Sequence, residues 1–160
     1  MEINFSKLPS SSRIWIYSSS RKFSKNETDL IKGYCSTFLN EWTSHGKGLQ
    51  AAIDIPYNHF IVIGINQMYQ GLSGCSIDDS IRFIKRIEKE FNVTLLDRMM
   101  TTYKDGQKIR KTNIENFKQK INEGVIDSKT IVFNNLVNSK AEYDTIWKVQ
   151  ASNSWHNRFF

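Results

Sequence analysis

Two apolar runs, Ala51–Ile55 and His59–Ile65, separated only by Pro56-Tyr57-Asn58, constrain this chain more than any other feature. Runs this short, rich in isoleucine and bounded by turn residues, read as strands, and the three-residue spacer predicts a β-hairpin. In the second run Ile61, Ile63 and Ile65 alternate with Val62 and Gly64, so neither face is polar. A strand apolar on both faces is expected to be central and covered on both sides. The rest of the chain has to supply that cover.

The flanking sequence offers the candidates. Residues 1–12 are polar and serine-rich, with Pro9 as a breaker, and read as an arm leading into the fold. Arg13–Tyr17 is dense in β-branched and aromatic residues and predicts a strand. A helix is expected from about Asn26, with Glu27 and Asp29 in the first turn where the helix dipole favours negative charge. Ile31, Tyr34, Cys35, Phe38 and Trp42 share its buried face, and Gly46 and Gly48 end it. Ser76-Ile77-Asp78-Asp79 has capping-box spacing, so a second helix is expected near Ile77, burying Ile77, Ile81, Ile84, Ile87 and Phe91. Val93–Tyr103 reads as extended, turning at Asp105-Gly106 and returning through Gln107–Arg110. Thr112-Asn113-Ile114-Glu115 opens a short helix that Gly124 closes. Thr130–Val137 is a further apolar strand, interrupted by Asn134 and Asn135, and Ser139 caps a last helical stretch through Trp147. The aromatic tail, residues 148–160, is expected to pack on the domain. Hairpins mixed with helices imply an α+β fold, a single antiparallel or mixed sheet covered by helices as a two-layer sandwich.

Composition narrows the function classes. At 160 residues, with 39% hydrophobic and 24% charged residues, the chain suits one domain, 1–160, with a sizeable core rather than disorder. No run approaches the roughly 18 apolar residues of a membrane helix. Met1-Glu2-Ile3-Asn4 lacks the basic start and apolar run of a secretory leader, so a cytoplasmic protein without a membrane partner is expected. Lysine and arginine (22) outnumber aspartate and glutamate (16), giving a net charge of +6. Such an excess attracts polyanions at long range. It keeps nucleic-acid binding open as an alternative, with Lys104, Lys108, Arg110, Lys111, Lys118 and Lys120 as first contacts, although no arginine-rich or aromatic-glycine motif accompanies it. Cys35 and Cys75 form neither a CxxC pair nor a metal cage, so free thiols, no metal and no cofactor are expected.

Six segments carry a resemblance: Trp42-Thr43-Ser44-His45-Gly46, Tyr57-Asn58-His59-Phe60-Ile61, Gly74-Cys75-Ser76-Ile77-Asp78, Asp97-Arg98, Thr130–Val137 and Ser154-Trp155-His156-Asn157-Arg158. Together they resemble a family of short bacterial proteins labelled "ABC transporter ATPase", over nearly the whole chain. The label implies a nucleotide site, and the residues do not provide one. Such an ATPase needs GxxxxGK[ST], whose amides and lysine hold phosphates and whose hydroxyl binds magnesium. Gly46-Lys47-Gly48 and Gly106-Gln107-Lys108 lack both loop and hydroxyl, and Leu72-Ser73-Gly74-Cys75-Ser76 shares only three residues with the transporter signature LSGGQ. ATPase activity is not expected.

Chemistry has its sharpest candidate at Gly74-Cys75-Ser76. A cysteine just before a capped helix sits near free amides and the positive dipole end, which favours the thiolate. A histidine beside it would complete a nucleophile–base pair, and His45 and His156, within the resemblance segments, are the preferred partners over His59. The plainer reading is a small buried thiol in a tight loop. Asp54, Asp78 and Asp97 would hold a divalent cation only if they converged, and the helix dipole or neighbouring charges already account for them. Asn134-Asn135 in an apolar strand either ties down the tail or faces a ligand, and Trp155 with Arg158 poses the same choice. The leading expectation is a binding or regulatory module. Its polar residues, His45, Asn58, Cys75, Ser76, Asp78, Asn134, His156 and Arg158, would line one pocket for a small anionic ligand or a protein partner. An enzyme using Cys75 with a histidine base is the alternative, and nucleic-acid binding the second.

Overall fold

The computed structural model describes residues 1–160. The two apolar runs form β4 (Ala51–Asp54) and β5 (Phe60–Ile65), paired antiparallel with Ala51 opposite Ile65 and Asp54 opposite Val62. β1 (Arg13–Ser18) pairs with the other edge of β5, so the sheet runs β1-β5-β4 and the doubly apolar strand is central, as its pattern requires. All six residues of β5 are buried. Successive strand side chains face opposite ways: Ile61, Ile63 and Ile65 join one core cluster while Phe60 and Val62 join another. Gly64 shares the second face, where a Cβ would lie 2.4 Å from Leu8 Cδ1, so only glycine admits this close approach.

The first cluster is covered by two helices. α1 (Lys25–Glu41) begins one residue before the sequence suggests, because Ser24 and Glu27 form a reciprocal capping box. It buries Ile31, Cys35 and Leu39, whereas Tyr34 stays exposed. The helix ends at Glu41, ahead of the two glycines. Residues 43–48 instead form a tight hairpin of β2 (Thr43–Ser44) and β3 (Lys47–Gly48), whose two-residue turn needs positive φ at both positions. His45 (φ 52°) and Gly46 (φ 77°) supply it. α2 (Gly74–Phe91) packs Phe83, Ile84, Ile87 and Phe91 into the same cluster.

The C-terminal half builds a second large sheet. β6 (Met100–Asp105) and β7 (Lys108–Asn113) form the expected hairpin about Gly106, and Asn113 caps α3 (Ile114–Asn122), one residue later than the box read from sequence. β8 (Ile131–Phe133) pairs with β6, and β9 (Lys148–Gln150) pairs with β8, giving the order β7-β6-β8-β9. Ser139 caps α4 (Lys140–Ile146) as expected. The chain is thus an α+β protein with four helices and three antiparallel sheets, which corrects the expectation of a single sheet. The reason lies at β1. Its outer edge meets only a one-residue bridge from Arg13 to Ser139, so the two larger sheets abut without fusing. They are joined by Phe60, Phe133, Val137 and Trp147 in the second cluster. No helix is long and apolar enough to cross a membrane.

Candidate functional site

Helix α2 begins earlier than Ser76. Ser73 is the N-cap: its Oγ accepts from the Ser76 amide at 3.1 Å, and the Ser73 amide donates to Ser76 Oγ at 2.8 Å. Asp79, the acid expected to close a box on Ser76, pairs with Arg82 instead. Gly74-Cys75-Ser76 is therefore the first helical turn rather than a loop before it. Ser76 is buried and its carbonyl accepts from Trp42 Nε1 at 2.8 Å, which fastens the end of α1 to the start of α2. Cys75 and Asp78 are exposed on that turn.

The three histidines go to three different places. His45 is exposed at the tip of the β2–β3 turn. His59 is buried beside the Pro56–Asn58 turn with Nδ1 unpartnered, and burial lowers its pKa. His156 is fully buried, pairs Nδ1 with Ser154 Oγ at 2.8 Å, stacks on Trp155 at 4.0 Å and packs on Phe117 of α3. Its Nε2 has no partner, and burial, then the Arg158 charge, brings its pKa down to about 4. No hydrogen bond links Cys75 to any of them. Arg158 is exposed, its guanidinium over the rings of Trp155 (5.2 Å) and Phe159 (5.1 Å).

The asparagines act as turn and tie residues. Asn58 (φ 52°) accepts from Thr28 Oγ1 at 3.1 Å through its side chain and from the Phe23 amide at 2.7 Å through its carbonyl. Asn134 donates its amide to the Trp147 carbonyl at 2.6 Å, and its Oδ1 accepts from the Leu136 amide. Asn135 Oδ1 accepts from Trp147 Nε1 at 2.9 Å. These bonds turn the chain after Phe133, which is why the strand read over residues 130–137 stops there. Asp54, Asp78 and Asp97 lie on β4, on α2 and in the 92–99 segment, and no three acidic, histidine or cysteine side chains converge to hold a metal ion.

A different set of residues does converge. The outer edge of β1 forms one wall of a cleft of about 260 Å³, closed by the 95–102 segment on one side and by residues 133–138 with Trp155 on the other. Asp97-Arg98, the Phe133–Val137 turn and Trp155, distant in sequence, meet here. Arg13, Arg98 and Lys111 bring three cations against one carboxylate, Asp97. Lys111 donates to the Ser18 carbonyl at 2.6 Å, and burial lowers its pKa while Asp97 and Glu88 oppose that shift. Arg13 Nε and Trp155 Nε1 are buried donors without an acceptor. Leu95, Leu96, Phe133 and Val137 give the cleft apolar walls. Arg98 and Trp155 stood out in the sequence within short motifs, and Lys111 as a basic residue. Arg13 carried no signal, because nothing in the pattern marks β1 as an edge strand.

A second, more open trough of about 650 Å³ shares Lys111 with the cleft and is lined by Arg21, Lys22, Lys108 and Arg110 with Tyr57 and His59. Two of its cations are already committed, Arg21 to Glu27 at 2.8 Å and Arg110 to Asp105 at 3.4 Å. Lys118 and Lys120 lie elsewhere, on α3. Compared with known protein families, curated proteins and solved structures, the chain finds no match.

Thiol exposure gives a prediction at this point. Cys75 should alkylate rapidly in the native protein, whereas Cys35, 1% exposed and with its thiol pushed up by burial, should resist until the chain unfolds. Mass spectrometry after brief iodoacetamide treatment should find one modified thiol. Equal labelling of both would contradict the packing of α1 on the sheet.

Proposed function

We propose that this protein is a binding module whose cleft beside β1 takes a small ligand with one anionic group and an apolar body. The observation that carries this reading is the pair of buried donors without acceptors, Arg13 Nε and Trp155 Nε1, in the same cleft as Arg98 and Lys111. A buried donor left unpaired costs about 1–3 kcal/mol, which a bound carboxylate or phosphate oxygen would offset. The cationic excess favours an anion, and the leucine-rich walls favour a carbon skeleton attached to it. At about 260 Å³ the space falls just below the range of drug-sized pockets, roughly 300–1,000 Å³, so the ligand is small. The anion site thus moves from the Gly74–Asp78 turn, where the sequence placed it, to the cleft. The trough is the weaker candidate, being more open and with two of its cations already paired, to Glu27 and Asp105.

Calorimetry with hexanoate and with inorganic phosphate tests this. Hexanoate should bind saturably, and Arg98→Ala, a change at an exposed side chain, should weaken it at least tenfold. Equal affinity in the variant, or no binding of either anion, would overturn the proposal.

A further inference from the structure

The backbone of β1 adds a second kind of recognition to this cleft. Odd-numbered residues of β1 bond towards β5, since the register sets Arg13, Trp15 and Tyr17 opposite Ile65, Ile63 and Ile61, and the Ser19 amide continues the ladder by donating to the His59 carbonyl at 2.9 Å. Even-numbered residues therefore point their amides and carbonyls outward. At one end of that outer edge the Ile14 amide donates to the Asn138 carbonyl at 3.0 Å, and the Lys140 amide donates to the Ser12 carbonyl. At the other end the Ser18 carbonyl accepts from Lys111 Nζ. Between them the Ile14 carbonyl, both backbone groups of Ile16 and the Ser18 amide have no strand partner, because β1 pairs in a sheet only with β5. This open stretch spans about 14 Å, from Ile14 to Ser18, at roughly 3.4 Å per residue.

A sheet edge with free donors and acceptors is a template for an added strand. Here the template lies in the cleft, flanked by apolar walls, with Lys111 and Arg98 among the groups that enclose it. We infer that the ligand is the C-terminal end of an extended peptide, about three residues long, which pairs with β1 along Ile16 and Ser18 and places its α-carboxylate among Arg98, Lys111 and Trp155 Nε1. The inference rests on the anion-binding reading of the cleft and specifies its ligand. Three features fit together. The edge reads the backbone, the cations read the terminal charge, and Leu95, Leu96 and Val137 admit an apolar last side chain. An internal stretch of a longer chain lacks the terminal carboxylate, and a free phosphate makes no use of the strand edge.

The test uses acetyl-Ala-Ala-Leu with a free carboxylate, the same peptide as its C-terminal amide, and hexanoate, each titrated into the full-length protein with amide hydrogen exchange followed by NMR. The carboxylate peptide should bind at least tenfold more tightly than the amide. It should also slow exchange at the Ile16 and Ser18 amides at least tenfold, while Trp15 and Tyr17, already bonded to β5, stay unchanged. If hexanoate binds as tightly as the peptide, or if the peptide leaves Ile16 and Ser18 exchange unaltered, the peptide inference falls and the anion site stands. If carboxylate and amide bind equally, the clamp on the chain end is wrong. If neither peptide nor hexanoate binds, both readings fall together.

Discussion

Replacing Phe60 with alanine is expected to cost about 3–5 kcal/mol of folding stability, the range for removing a large aromatic from a core. Phe60 is fully buried, with its ring 4.9 Å from Phe133 and 5.0 Å from Trp147. Those contacts join the central strand of the first sheet to the end of β8 and to the residue after α4, so the loss falls on the junction between the two large sheets. A domain held by about 5–15 kcal/mol would keep only part of its stability. Urea denaturation of Phe60→Ala should show a sharply lowered midpoint. A loss below about 1 kcal/mol would mean that the two sheets are not joined through this cluster. Phe133 and Val137 belong to the same cluster and also line the cleft, so the variant should weaken hexanoate binding as well.

Acid is the second large lever. His156 is held neutral by burial, with its pKa at about 4 against 6.5 when unfolded. Below pH 6.5 the unfolded chain takes up a proton that the folded chain refuses, so stability falls as pH drops from 6.5 to about 4 and then levels off for this group. The loss should be on the order of 2–3 kcal/mol across that window. Burial shifts His59 in the same direction. Glu27, held at about 2 by its Arg21 hydrogen bonds, gives stability that begins to fade only as pH falls through 4.5. The two windows can therefore be told apart. Denaturation midpoints measured at intervals from pH 7 to pH 4 should fall in the wild type and fall less in His156→Gln, which keeps a polar group near Ser154 without titrating. An identical pH dependence in the two proteins would contradict the burial of His156.

Much of the fold was legible because its elements announce themselves locally. The doubly apolar Phe60–Ile65 strand, the turn at Gly106 and the cap at Ser139 each have one physical solution, and the structure adopts it. Ambiguity entered where two residues compete for one role. Ser73 and Ser76 both suit an N-cap, and the structure gives the role to Ser73, whose capping box closes on Ser76 while Asp79 pairs with Arg82. Sheet membership was not legible, since whether β6 continues the first sheet or begins another depends on what covers the edge of β1. The cleft was half legible. Asn135 and Trp155 drew notice as residue types out of keeping with their surroundings, and Asp97-Arg98 as one of the segments that carry the resemblance. Their meeting with Arg13 and Lys111 is a product of topology, and so the sequence pointed instead to the Cys75 turn, where a nucleophile and a helix start coincide by themselves.

The most direct test of the cleft as a binding site is the set of tryptophan indole N–H resonances during titration with hexanoate. The chain has four tryptophans. Trp42 Nε1 already donates to the Ser76 carbonyl and Trp147 Nε1 to Asn135 Oδ1, whereas Trp155 Nε1 is buried without an acceptor. The Trp155 resonance, assigned by its loss in Trp155→Phe, should move saturably downfield as it gains an oxygen acceptor. The Trp42 resonance, whose indole does not line the cleft, should stay in place. A Trp155 signal unmoved at saturating hexanoate would contradict the account.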